Sequence, residues 1–170
     1  VLCVQELGLA EHERPVPVPG YLWYVKAREA RRSAADVGGG VGFLVSARHA
    51  TDNYRLVDMH AHGAGHSSLW LSMAGPPGGF HVGCVYADKE AYLRSCGITV
   101  PYMWDQHAHF VEHLVSMGAQ HIYMCGDFNA HLGREQEAPG WPRRAPARLR
   151  AINPHGRGLM SLLRCTGMVL

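Results

Sequence analysis

The stretch Gln120-His121-Ile122-Tyr123-Met124-Cys125-Gly126-Asp127-Phe128-Asn129-Ala130 decides how the rest of the chain is read. Gln120–Cys125 reads as a buried β-strand, a short apolar run bounded by Gly118 and Gly126. A carboxylate, Asp127, and a carboxamide, Asn129, follow it directly. Polar groups at the C-terminal ends of buried strands converge on one rim of a sheet, where sites usually lie. A second strand end has the same character: Val1–Gln5 reads as a short buried strand, with Gln5-Glu6 at its end. Carboxylates there suit a hard cation such as Mg²⁺, which takes oxygen ligands and keeps several waters. A carboxamide such as Asn129 can donate a hydrogen bond to a phosphate oxygen. Taken singly, Glu6 reads as a turn cap and Asp127 as a loop acid, because Asp and Asn are common turn residues.

Outward from these two strand ends, further strands are expected at Tyr21–Lys26, Val41–Ser46, Tyr54–His60, Ser67–Ala74 and Phe80–Ala87. The turn signal Gly75-Pro76-Pro77-Gly78-Gly79 makes the last two an antiparallel hairpin. Pro101 opens a helix whose stripe is Trp104, Ala108, Val111 and Val115, and Gly118 ends it. Ala130–Pro154 reads as a long Pro/Arg loop, and Gly158–Cys165 as a helix with Leu159, Leu162 and Leu163 on one face. Strands dominate the first half and alternate with helices in the second, which predicts an α/β sandwich of sheets flanked by helices.

Composition narrows the class. With 170 residues, 47% hydrophobic and 18% charged, the chain is one domain with enough apolar mass for a core. That rules out an intrinsically disordered chain, and no run approaches the ~20 apolar residues of a membrane helix. The net charge of +2 is too balanced to demand a polyanion. Six arginines, Arg134, Arg143, Arg144, Arg148, Arg150 and Arg157, nevertheless stand close together and can attract phosphate. The five cysteines include no CxxC pair, so they read as thiols of a reducing, intracellular compartment. Cys3, Cys84 and Cys125 lie in apolar runs and are expected to be buried. The ends Val1-Leu2-Cys3-Val4 and Met168-Val169-Leu170 are apolar, whereas domain ends are usually polar, so the chain is expected to be cut at both ends.

The ordered set Gln5-Glu6, Gly39-Gly40-Val41-Gly42-Phe43-Leu44-Val45, Val85-Tyr86-Ala87, Gly126-Asp127-Phe128-Asn129-Ala130 and Asn153-x-x-Gly156-x-x-Leu159 resembles the endonuclease/exonuclease/phosphatase (DNase I-like) superfamily. The endonuclease domains of non-LTR retrotransposons are the most similar branch, and the likeness runs across residues 1–170. The resemblance implies a four-layer α/β sandwich, here incomplete, and hydrolysis of DNA phosphodiesters with Mg²⁺ or Mn²⁺. By resemblance Glu6 is a metal ligand. Asp127 positions or deprotonates the attacking water. Asn129 contacts the scissile phosphate and helps hold the metal, and Tyr86 touches the phosphate. Substrate contacts are expected from Asn129, His131, Arg143, Arg144 and Asn153. In-line attack by water builds charge on the phosphate oxygens, which a cation and hydrogen-bond donors stabilise while a carboxylate orients the water.

The family also has an asparagine on a strand ahead of Gln-Glu and a Ser-Asp-His motif near its C-terminus, and no Ser-Asp-His occurs in these residues. The polypeptide alone is therefore expected to be nearly inactive. Strands lost from both ends would leave sheet neighbours unpaired and stability marginal. Two other readings stand beside the nuclease: a phosphatase acting on a small phosphoester or phosphoinositide, and a non-catalytic remnant that at most binds nucleic acid. The twelve histidines are a weaker lead. His60, His62 and His66, like His107, His109 and His113, repeat His-x-His-x3-His, but they do not complete a metallo-hydrolase pattern and read as surface imidazoles.

Overall fold

The computed structural model describes residues 1–9, 13–27, 39–50, 54–57, 67–73, 79–133 and 151–169. Among the described residues, seven strands and four helices run in the order β1 (Leu2–Gln5), β2 (Tyr21–Lys26), β3 (Val41–Ser46), α1 (Ala47–Ala50), β4 (Tyr54–Val57), β5 (Ser67–Met73), β6 (Phe80–Tyr86), α2 (Glu90–Ser95), α3 (Val100–Ser116), β7 (His121–Asp127) and α4 (Pro154–Thr166). The class is mixed α/β. The strands make two sheets, a three-stranded antiparallel one ordered β1-β3-β2 and a four-stranded one ordered β4-β5-β6-β7.

The hairpin expected at the Gly/Pro turn is present, with β5 and β6 antiparallel from Ser67↔Tyr86 to Met73↔Phe80. β6 and β7 are parallel, joined through α2 and α3, as a parallel pair requires a long crossover. The sheets face each other across a core of Val41, Phe43 and Val45 from β3, Leu69 and Leu71 from β5, and Val82, Cys84 and Tyr86 from β6. Alternate residues of the same strands point the other way. On that outer face Trp70 packs with Val111 and Leu114 of α3, with Ile122, Met124 and Met168 alongside. Described residues thus build three layers: sheet, sheet and helices.

α3 opens on Thr99, whose Oγ1 accepts from Tyr102 N at 3.3 Å, with Pro101 in the first turn where its missing N–H costs nothing. Its buried stripe holds Trp104, Ala108 and Val111, as the spacing predicts. Val115 departs from the expectation at 52% exposed, and Leu114 takes its place, because the stripe drifts at 3.6 residues per turn. His107 also departs: it is buried inside α3, not a surface imidazole, while His109 and His113 are exposed. α4 begins at Pro154 rather than Gly158, since Asn153 and Pro154 supply an N-cap and a first-turn proline. The short helices α1 and α2 have no amphipathic period long enough to announce them.

β7 differs most from the buried strand its sequence predicts. It is the outermost strand of its sheet among the described residues, so Tyr123 and Cys125 are exposed even though they alternate with the half-buried Ile122 and Met124. Tyr123 meets Phe80 edge-on at 6.3 Å between centroids. The expectations at residues 28–38, 58–66, 74–78 and 134–150, including His60, His62, His66, Arg143 and Arg144, lie outside the described residues.

The helices lock through Trp104, which is buried against Leu159 and Leu162 of α4 and T-shaped to Phe128 at 5.9 Å. A Cβ on Gly158 would collide with the Trp104 ring, so glycine is what lets the two helices close. Gly158→Ala gains helix propensity, about 1 kcal/mol, but overpacks this contact. We predict net destabilisation of about 1–3 kcal/mol in urea unfolding, against no more than about 0.5 kcal/mol for the exposed Ser161→Ala.

His155 of α4 is buried, and Trp104 Nε1 donates to its Nδ1 at 3.3 Å. Burial pushes this imidazole below its ordinary value of 6.5, although the Asp88 backbone and the Glu90 and Asp127 charges pull it back upward. The unfolded chain therefore takes up this proton first. Stability is complete above about pH 6.5 and is lost as pH falls from there toward the depressed folded value. In His155→Asn, whose Oδ1 keeps an acceptor for Trp104, unfolding free energy should fall less between about pH 7 and pH 5 than in the native chain.

Candidate active site

The C-terminal ends of β1, β6 and β7 meet at one rim. Tyr86 and Asp127 are register partners at the end of the parallel pair, and Ala87 N donates to Asp127 O at 2.9 Å, extending the ladder past both strands. β1 belongs to the other sheet, and its last residue ties the two together: Gln5 Nε2 donates to Val85 O at 2.7 Å. Gly126 makes that tie possible. Its φ is 147°, and a Cβ there would collide with Val85 O and Gln5 Nε2.

Glu6 leaves β1 with φ 52°, and Asn129 follows β7 with φ 46°. They are the two non-glycine residues with positive φ among the described residues. Each costs on the order of 1–3 kcal/mol, a strain found mostly at functional sites and kept only where neighbours over-determine it. Here they do. Tyr86 OH donates to Glu6 Oε1 at 2.6 Å, and Gly8 N donates to Gly39 O at 2.9 Å just beyond. Asn129 N donates to Asp127 Oδ1 at 2.9 Å, an Asx turn, and Asn129 Nδ2 donates to Ala87 O at 2.7 Å.

The loop after Asn129 is clamped by Asn153. Its Oδ1 accepts from His131 N at 3.0 Å and Gly156 N at 2.7 Å, and its Nδ2 donates to Asn129 O at 2.8 Å. One side chain thus caps α4 and holds the backbone of Asn129 and His131. Asn153 N donates back to His131 O at 3.2 Å. The geometry gives Asn153 a positioning task; the cap itself was readable from Asn153-Pro154.

Glu6, Tyr86, Asp127 and Asn129 are therefore together, with His131 and Asn153 beside them. Arg143 and Arg144 lie outside the described residues, while Arg157 is exposed and donates to Ile152 O at 3.3 Å. Glu6 and Asp127 are exposed and Asn129 is half-buried, so the carboxylates face solvent. Tyr86 is buried. Burial and the Glu6 carboxylate that accepts its hydrogen bond push its hydroxyl well above the usual phenol value, so it stays a donor at neutral pH. Missed by sequence reasoning were Gln5 as the tie between sheets and Asp88, which is buried two residues after Tyr86.

Among the described residues no cluster of three or more His, Cys, Asp or Glu could hold a metal ion. The rim offers two carboxylates and a carboxamide. Asn129 commits its nitrogen to Ala87 O, which keeps Oδ1, the atom a hard cation takes, out of that bond. Such a sparse oxygen set fits Mg²⁺, which binds through one or two carboxylates plus substrate phosphate and retains waters. It does not fit zinc, which wants nitrogen or sulfur. No protein-family model matches the chain, and no curated protein matches it.

Asn153→Ala removes three hydrogen bonds and a cap. We predict a loss of about 1–3 kcal/mol in urea unfolding. Asn153→Asp, which keeps the acceptors for His131 N and Gly156 N, should lose less.

Proposed function

We propose that this protein is a metal-dependent phosphodiesterase of the DNase I-like type acting on DNA, built on a four-layer α/β sandwich and using Mg²⁺ or Mn²⁺. The observation that carries this reading is the pairing of strain and chemistry at the rim. The residues held at positive φ, Glu6 and Asn129, are the ones the Gln-Glu and Gly-Asp-Phe-Asn motifs nominate as cation ligands, and they flank Tyr86 and Asp127.

In this reading Glu6 and Asn129 Oδ1 hold the cation, which when bound supplies charge to stabilise the phosphate oxygens. Asp127 has Oδ1 fixed by Asn129 N, so its other oxygen is the one that orients an attacking water and accepts its proton. Tyr86, kept protonated, donates its hydroxyl hydrogen to Glu6 and steadies the ligand. Asn129 and His131 reach the phosphate from the loop that Asn153 holds, and the arginines between residues 134 and 157 attract the DNA backbone. A small phosphoester or phosphoinositide would use the same rim, but the clustered arginines favour a polyanion.

Mn²⁺ titration and plasmid nicking test this. Mn²⁺ should bind polypeptide 1–170, and Glu6→Ala should weaken binding by about tenfold or more. Nicking with Mg²⁺ should be slow, because no Ser-Asp-His histidine is among these residues, and should vanish in Asp127→Asn. A folded protein that binds DNA but no Mn²⁺ would support the remnant reading instead. Fast cleavage indifferent to Glu6→Ala would overturn the assignment of residues.

A further inference from the structure

Among the described residues the two sheets end on four edge strands, β1 and β2 in one and β4 and β7 in the other. An edge offers its backbone to another chain, and proteins blunt such edges with short strands, charges or proline. β1 and β4 have four residues each, and β2 ends on Lys26. β7 lacks these devices: it has seven residues, no proline, and no charged side chain between His121 and Asp127. Ala87 N donates to Asp127 O at 2.9 Å, so the backbone of Asp127 faces β6. By alternation the backbones of His121, Tyr123 and Cys125 face β6 too, while those of Ile122, Met124 and Gly126 face outward. Tyr123 and Cys125 are level with Val82 and Cys84, whose side chains lie in the core between the sheets. Yet Tyr123 is 54% exposed, and Cys125 is exposed, contrary to the burial its apolar run predicts. Side chains on the inner face of the sheet are left in solvent because the sheet stops at β7.

We propose that β7 is a self-association edge: a second copy of this chain adds its own β7 antiparallel, about a two-fold axis at Met124, so that the two four-stranded sheets become one. Backbone parity selects this register. With Met124 opposite Met124 of the second copy, Ile122 falls opposite Gly126, and every outward N–H and C=O of each strand meets an outward group of the other. A slip of one residue sets inward-facing groups against outward ones, and a slip of two leaves an outward residue unpaired at each end.

Charge complementarity selects the occupant. A two-fold interface must be complementary to itself. β7 carries an imidazole at its start, a carboxylate at its end and uncharged residues between. Paired antiparallel with itself, it sets His121 of each copy against Asp127 of the other. Tyr123 of each copy covers Cys125 of the other, closing the open end of the core. These are non-hydrogen-bonded pairs, whose Cα atoms lie about 4.5 Å apart and whose side chains touch.

Analytical ultracentrifugation and amide hydrogen exchange of polypeptide 1–170 over a concentration series test this. The sedimenting mass should rise to twice that of the monomer and stop there. The amides of Ile122 and Met124 should gain protection as the dimer forms, while those of Tyr123 and Cys125, already facing β6, should not change. Tyr123→Lys, at an exposed position, should abolish the dimer, with circular dichroism confirming that the monomer is folded. His121→Asp should weaken association and His121→Lys tighten it. In a Cys165→Ser background, which removes another exposed thiol, Tyr123→Cys should form an interchain disulfide with Cys125 of the second copy under mild oxidation. A monomer at every concentration, growth beyond two copies, a dimer in which Ile122 and Met124 gain no protection, or a dimer indifferent to Tyr123→Lys would overturn the proposal.

Discussion

The hydrogen bond from Gln5 Nε2 to Val85 O is the contact on which the rim depends. β1 lies in one sheet and β6 in the other, so no backbone ladder sets the offset of their ends. A side-chain amide locked onto a main-chain carbonyl fixes that offset. With it fixed, Glu6 lands against Tyr86, and Tyr86 is already level with Asp127 by parallel register. The condition for the bond is an absence: Gly126 has no side chain to occupy the space that the amide of Gln5 fills.

Around that tie the polar groups form one connected set. Asp127 turns the chain so that Asn129 points its nitrogen at Ala87 O, and Asn153 then ties Asn129 and His131 to the first turn of α4. Behind them Trp104 seats α4 on α3, so the loop rests on a packed helix pair. Glu6 and Asn129, the non-glycine residues at positive φ among the described residues, stand at the end of this chain of constraints. Their strain is small beside the summed hydrogen bonds and buried aromatic area that hold them.

Much of this was legible in the sequence, for identifiable reasons. Strands β2, β3, β5 and β6 follow from alternation and from Gly/Pro punctuation, and α3 from its 3.6-residue stripe behind Pro101. Glu6, Asp127 and Asn129 were visible because each directly follows an apolar run. The exposure of β7 was not visible, since an apolar strand reads the same at the edge of a sheet as in its centre. Nor was the burial of His107, because residue type says only which groups tend to be outside. The tie from Gln5 spans 80 positions, and the clamp from Asn153 spans 22 and 24, so no local pattern encodes them.

The central proposal is that Glu6 and Asn129 hold a cation beside Asp127, at the rim where β1, β6 and β7 end. The most direct measurement is amide NMR line broadening on titration with substoichiometric Mn²⁺. The account predicts early loss of the signals of Glu6, Leu7, Tyr86, Ala87, Asp127 and Asn129, with α3 little affected. Broadening centred on His109 and His113, or spread evenly over the surface with the rim unchanged, would contradict it.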